Sequence, residues 1–202
     1  ILDQNLYQNM KNCYEGLVPP NCKRLIGPKF ALLRKEFRRI RKNLRKRDGE
    51  IKRILISFGS SDPTNETIKV LDAINQLENK QIKVDLLLGI SNKTSKSIKK
   101  LYSKTSNITC HQSTNIAHLM NKADLSIGAG GSTTWERCCL GLPSIVSISA
   151  ENQKKLTEAV AKNGCSINLG RTKELSSKDY VKAIKSLDNM HINQMSKKCV
   201  LL

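Results

Sequence analysis

From residue 51 onward the chain alternates short apolar runs with helix-spaced segments, and this alternation limits the fold more than any other feature. "RILISF" (53–58), "KVDLLLG" (83–89), "NITC" (107–110), "DLSIGAG" (124–130), "PSIVSIS" (143–149) and "CSINLG" (165–170) are too short for helices and end in turn residues, so they predict six strands. The segments 66–80, 92–105, 114–123, 133–142, 151–164 and 176–187 carry helical spacing. In the first of them Val70, Ile74 and Leu77 make one stripe, widened by Leu71. Strands and helices in strict turn predict an α/β fold, a Rossmann-like parallel sheet with helices on both faces.

Ligands of such sheets bind beyond the carboxyl ends of the strands, where two loops diverge. Two Gly/Ser-rich loops lie at strand carboxyl ends, "GSSDPTNET" (59–67) and "GAGGSTTWE" (128–136), and they are expected to face one crevice. In the second, glycines let the backbone approach a ligand closely, and the N–H groups that open a helix favour phosphate oxygens. Ser132, Thr133 and Thr134 add hydroxyls, and Glu136 suits either the helix dipole or the two hydroxyls of a ribose. The spacing is not the dinucleotide fingerprint, because Thr133 stands where a third glycine belongs, and no Gly-Lys-Ser/Thr follows as in a Walker loop. A plain tight turn, with Thr133 as N-cap and Glu136 closing a capping box, uses the same letters, so both readings stay open on spacing alone. Asp62 fits a helix cap and equally a sugar-hydroxyl acceptor.

The formal net charge of +18 is unevenly placed: residues 23–53 hold fourteen Lys/Arg against three Asp/Glu. A nucleic-acid partner is the first thought for such a block. Yet Phe30, Leu33, Phe37, Ile40 and Leu44 recur at three- and four-residue steps, which predicts an amphipathic helix over 30–52 with the basic residues as its solvated face. No aromatic residues interleave for base stacking, so an anionic small substrate or an acidic surface is preferred and no nucleic acid is expected. The cysteines at 13, 22, 110, 138, 139, 165 and 199 include no CxxC pair and no zinc spacing with His111, His118 or His191, so no metal is expected. They fit free thiols in a reducing cytoplasm. There is no run long and apolar enough for a membrane span, and no self-contained set of nucleophile, base and orienter.

With "LIGPKFALLRKEF" (25–37), "ILISFGSSDPTNET" (54–67) and "GAGGSTTWERCCLGLPSI" (128–145) in view, the chain resembles a known family. It looks like the carboxyl-terminal part of the hydrolase that removes UDP from UDP-2,4-diacetamido-2,4,6-trideoxy-β-L-altropyranose in the pseudaminic acid pathway. It is similar also to spore-coat polysaccharide biosynthesis proteins and, more distantly, to the peptidoglycan transferase that uses UDP-N-acetylglucosamine.

The resemblance implies the carboxyl-terminal domain of a glycosyltransferase-B-type fold. Residues 1–50 would be an inter-domain segment at the end of a first domain that these residues do not include, and residues 51–202 a UDP-binding domain. Gly130, Gly131, Ser132, Thr133 and Thr134 would contact the diphosphate and Glu136 the ribose hydroxyls, with backbone around Ser113 and Thr114 against uracil. Gly59, Ser60, Ser61, Asp62 and Asn65 would line the sugar–phosphate side, and Asn152 and Gln153 would close the cleft. Water displaces UDP at the anomeric carbon in the family reaction, with no cofactor or metal. The family's catalytic histidine sits in a Gly-x-Gly-His loop of the first domain. No such motif occurs here, so no catalytic residue is expected within this chain, which by itself would bind UDP without hydrolysing the sugar bond. A UDP-sugar-dependent glycosyltransferase and a non-catalytic docking module of a fused biosynthetic protein are the alternatives.

Overall fold

The computed structural model describes all residues of the chain except Gln8, Lys11, Lys80, Ser113 and Thr114. Six parallel strands form the main sheet: β3 (Arg53–Ser57), β4 (Lys83–Leu87), β5 (Ile108–His111), β6 (Leu125–Ala129), β7 (Ser144–Ile148) and β8 (Ser166–Arg171), in the order β5-β4-β3-β6-β7-β8. They coincide with the six predicted runs. A separate two-stranded parallel sheet, β1 (Leu2–Asp3) with β2 (Leu25–Ile26), lies in the first part of the chain. The helices are α1 (Lys35–Arg41), α2 (Glu66–Asn75), α3 (Ser95–Tyr102), α4 (Ile116–Lys122), α5 (Thr133–Cys139), α6 (Lys154–Lys162), α7 (Ser177–Lys185) and α8 (Asn189–Leu201).

Side chains alternate across a strand, so a sheet covered on both faces buries consecutive residues in different clusters. In β3, Ile54 and Ile56 pack with Val70, Ile74 and Tyr180 of α2 and α7, whereas Leu55 packs with Ala117 and Met120 of α4 and with Phe37 of α1. All three strand residues are fully buried. The predicted stripe Val70, Leu71, Ile74 and Leu77 is part of this core. Helix ends follow local chemistry. Gly141 and Gly164 take left-handed φ values of 58° and 70° after α5 and α6, and Ser176 forms a capping box with Asp179 at α7.

The amphipathic helix predicted over 30–52 is far shorter, only Lys35–Arg41, and its basic residues are not simply a solvated face. Beyond it the chain leaves the helix and its arginines reach helix ends elsewhere. Arg47, 8% exposed, donates to the carbonyls of Met120 and Ala123 at the end of α4 and of Leu140 and Gly141 after α5. Arg41 donates to the carbonyls of Cys139 and Val200, and Arg45 to those of Asn121 and Ala123 and to the Asp124 carboxylate. The last carbonyls of a helix lack intrahelical partners and carry partial negative charge. Satisfying several of them with guanidinium groups outweighs extra turns of an isolated helix, whose stability would rest mainly on packing. Phe37, Leu33, Ile40 and Leu44 still pack against the domain, as their spacing implied.

A thirteen-residue helix, α8, follows Leu187, where no periodic stripe marks the sequence. Only Ile192, Met195 and Cys199 of it are buried, a narrow seam on a polar segment. The seven cysteines are all unpaired.

Candidate functional site

The strand order reverses between β3 and β6, which pair directly with Ser57 opposite Gly128. The loops leaving these two strands therefore diverge from adjacent positions on the carboxyl edge, one toward α2 and one toward α5. The loop after β7, which holds Asn152 and Gln153, is next along the same edge because Ala129 pairs with Ser147. The structure thus brings together three of the four predicted groups. The fourth, Ser113 and Thr114, lies outside the described residues.

The two main loops differ in what their amides are doing. In the loop after β3, Gly59 is exposed with φ 78°, and Ser60 and Ser61 are exposed. The Ser60 carbonyl accepts from Ser91, and a Cβ at Gly89 would stand 2.1 Å from it, so the loops after β3 and β4 pack backbone to backbone. Asp62 is 4% exposed, and its two oxygens accept the amides of Glu66 and Thr67 at 2.9 and 3.0 Å. Its carboxylate already occupies the N-terminus of α2, the place where an anion would otherwise bind. Asn65, exposed and left-handed at φ 54°, is the residue from which α2 starts.

In the loop after β6, the Gly130 amide donates to the Ser147 carbonyl and the Thr134 amide to the Gly131 carbonyl. Among the described residues no acceptor faces the amides of Gly131, Ser132 and Thr133. Three consecutive donors beside exposed Ser132 are thus left free, an arrangement that can receive an anion. Gly130 is held from below: a Cβ there would meet Thr157 Oγ1 of α6 at 1.9 Å. At Gly131, by contrast, the nearest atom to such a Cβ is the Gln153 side-chain nitrogen at 3.7 Å, so its solvent side is open. Gln153 Oε1 accepts the Ser149 amide, which fixes that side chain beside the loop.

The capping-box alternative is not what the structure forms. The residue preceding α5 is Ser132, with no side-chain cap bond, and Glu136 turns instead to Arg34, 3.1 Å from Nη2. Thr134 is buried, and its hydroxyl lies 3.4 Å from Nη2 of Arg137. Arg137 itself is 3% exposed and donates to the Ala129 carbonyl at 2.7 Å. Burial pulls its pKa down to about 10, and among the described residues it has no carboxylate in ion-pair range and an unpartnered Nε. Beneath both loops Tyr180 donates to buried Glu66 at 2.6 Å, and Lys69 binds the same carboxylate and the Thr172 carbonyl.

Arg34, Thr157 and Arg137 are absent from the sequence-based expectations. Arg34 is hidden within a charge run, Thr157 within a helical pattern, and Arg137 looks like any helical surface residue. The three histidines are spread out: His111 bonds Asp85 across β4 and β5, His191 bonds Asp188 at the start of α8, and His118 is exposed on α4. Among the described residues no helix is long and apolar enough to cross a membrane.

Comparisons with known proteins agree on the architecture. The profile of the glycosyltransferase family 28 C-terminal domain matches residues 53–200. The chain is 33% identical over 154 residues to the uncharacterized protein MJ1062 of Methanocaldococcus jannaschii, covering 73% of this chain and 32% of that one. It is 28% identical over 146 residues to the spore coat polysaccharide biosynthesis protein SpsG of Bacillus subtilis, covering 71% and 43%. Among solved structures it is similar to MurG of Acinetobacter baumannii, with a TM-score of 0.60 and 19% identity over 90% of this chain and 52% of that one. It is similar also to the spinosyn rhamnosyltransferase SpnG complexed with thymidine diphosphate, with a TM-score of 0.60 and 16% identity over 93% and 51%. The chain spans less than half of either curated relative.

Proposed function

The chain belongs to the glycosyltransferase family 28 C-terminal domains, and from that premise we propose that it is the nucleotide-binding half of a UDP-sugar hydrolase of nonulosonic (pseudaminic) acid biosynthesis. The observation that carries the nucleotide site is the run of free amides at Gly131–Thr133 on the sheet's carboxyl edge, opposite a helix N-terminus already filled by Asp62. A diphosphate at the loop after β6 adds charge where amides are unsatisfied; at the loop after β3 it would face a carboxylate.

In this reading the 130–134 loop receives the diphosphate, and Glu136 accepts the ribose hydroxyls. Gly59, Ser60, Ser61 and Asn65 border the sugar side, with Asp62 holding their loop to α2. Gln153 flanks the diphosphate beside Gly131, Asn152 lies next to it, and Ser113 and Thr114 meet uracil. The bond that breaks joins the anomeric carbon to the UDP oxygen; water supplies the new oxygen and UDP leaves with the negative charge. The free amides stabilise that charge as it develops. The group that takes the proton from water comes, in this proposal, from outside these residues, as the relatives' greater length allows. A glycosyltransferase is the second reading, favoured by the solved transferases of this fold; an acceptor hydroxyl replaces water and the nucleotide half works identically.

Replacing Glu136 by Gln tests the site. It keeps the shape and removes the charge-assisted hydrogen bonds, so UDP affinity is expected to fall about 10- to 100-fold with little change in melting temperature. Unchanged affinity removes Glu136 from the ribose site.

A further inference from the structure

Arg34 lies outside the part of the chain that the family profile matches, yet it reaches the residue assigned to the ribose. It precedes α1, and its guanidinium bridges two carboxylates: Nη1 is 3.1 Å from Glu36 Oε1 and Nη2 3.1 Å from Glu136 Oε1. The guanidinium carbon also lies 5.2 Å from the ring centre of fully buried Phe37. Three contacts thus fix a side chain that is otherwise half exposed.

We propose that Arg34 is a positioning residue of the nucleotide site: it holds the Glu136 carboxylate in the orientation that accepts the ribose hydroxyls. The proposal rests on the UDP reading given above.

The geometry favours positioning over competition. A carboxylate offers about four acceptor sites, and Arg34 takes one on Oε1, leaving Oε2 and the remaining lone pairs for a diol. Glu136 makes no capping bond to its own helix, so among the described residues Arg34 is the ion-pair partner that orients its carboxylate. Arg34 is half exposed, but the Glu136 side chain is only 16% exposed, so the pair anchors a largely covered carboxylate from a side chain at the surface. Loss of Arg34 frees the Glu136 rotamer, and ordering it again on binding weakens the diol contact. The segment before the sheet thereby becomes part of the site that the sheet carries.

The test compares UDP with 2′,3′-dideoxy-UDP by calorimetry on the full 202-residue chain and on its Arg34→Gln and Arg34→Lys variants, with thermal melts to confirm folding. Positioning through the diol predicts about ten-fold weaker UDP binding in Arg34→Gln, no change for the dideoxy analogue, and partial recovery in Arg34→Lys. Equal losses for both nucleotides place the effect on the phosphates or on the fold and overturn the proposal, as does no loss for either. Should Arg34→Gln fail to fold, the same comparison is made with Arg34→Lys, where a loss confined to UDP supports positioning. If the unaltered chain binds neither nucleotide, the UDP reading itself falls, an outcome distinct from any variant effect.

Discussion

Gly130 and Thr157 stand so close that a Cβ on the glycine would lie 1.9 Å from the threonine Oγ1, with Thr157 Cβ at 3.2 Å. The contact presses the loop after β6 onto α6 and leaves Gly131 as the residue facing outward. Gly130→Ala is therefore expected to destabilise the chain by about 1–3 kcal/mol and to weaken nucleotide binding by lifting the loop. Thr157→Ala removes Oγ1 and Cγ2, so the double variant should regain most of both losses. Additive effects in denaturant titrations of the two single variants and the pair would show that the contact does not set the loop.

Asp62 combines a left-handed φ of 44° with two amide bonds to α2. Alanine there loses the cap and strains the backbone, with an expected loss of about 1–2 kcal/mol. Asparagine keeps an acceptor and tolerates that φ, so Asp62→Asn should lie much closer to the parent. Equal melting temperatures for the two variants would contradict a capping role.

The basic segment divides into residues that hold the structure and residues that do not. Arg47→Met removes a donor from four carbonyls, of which Ala123 keeps Arg45 and Gly141 keeps Ser196, and is expected to cost about 3 kcal/mol. Changing exposed Arg38, Arg39 and Lys42 to glutamine should move stability by only about 0.5 kcal/mol each and leave UDP affinity intact. A large affinity loss in that triple variant would move the anion site onto α1.

Acid sensitivity follows from the capping box of α7. The Ser176 hydroxyl and amide donate to Asp179, which lowers its pKa in the folded chain. The stabilisation is complete above the unfolded value of about 4 and is lost as pH falls through the lower folded value. Asp179→Asn should flatten that part of the stability–pH curve while leaving the neutral region shifted only uniformly.

Sequence patterning made the sheet legible because each strand is a short apolar run ending in turn residues, and strand order then placed two Gly/Ser loops side by side. What the pattern did not reveal was set by partners far along the chain. The helix expected over 30–52 stops at Arg41 because Arg45 and Arg47 serve helix ends about eighty to ninety residues away, a demand that no local periodicity records. α8 was invisible because three buried residues on a polar helix make no clear stripe. At the site, the letters of the 128–136 loop fitted a ligand turn and a capping box equally. The capping box does not form, because Ser132 precedes the helix without a side-chain cap bond; Glu136 pairs instead with Arg34, 102 positions away.

Calorimetric titration of the chain with UDP, beside AMP and a short DNA duplex, tests the central claim most directly. The account predicts saturable binding of UDP, weak or no binding of AMP, and only a shallow salt dependence, since a single diphosphate is neutralised. Binding of the duplex with a steep salt slope, and none of UDP, would contradict it.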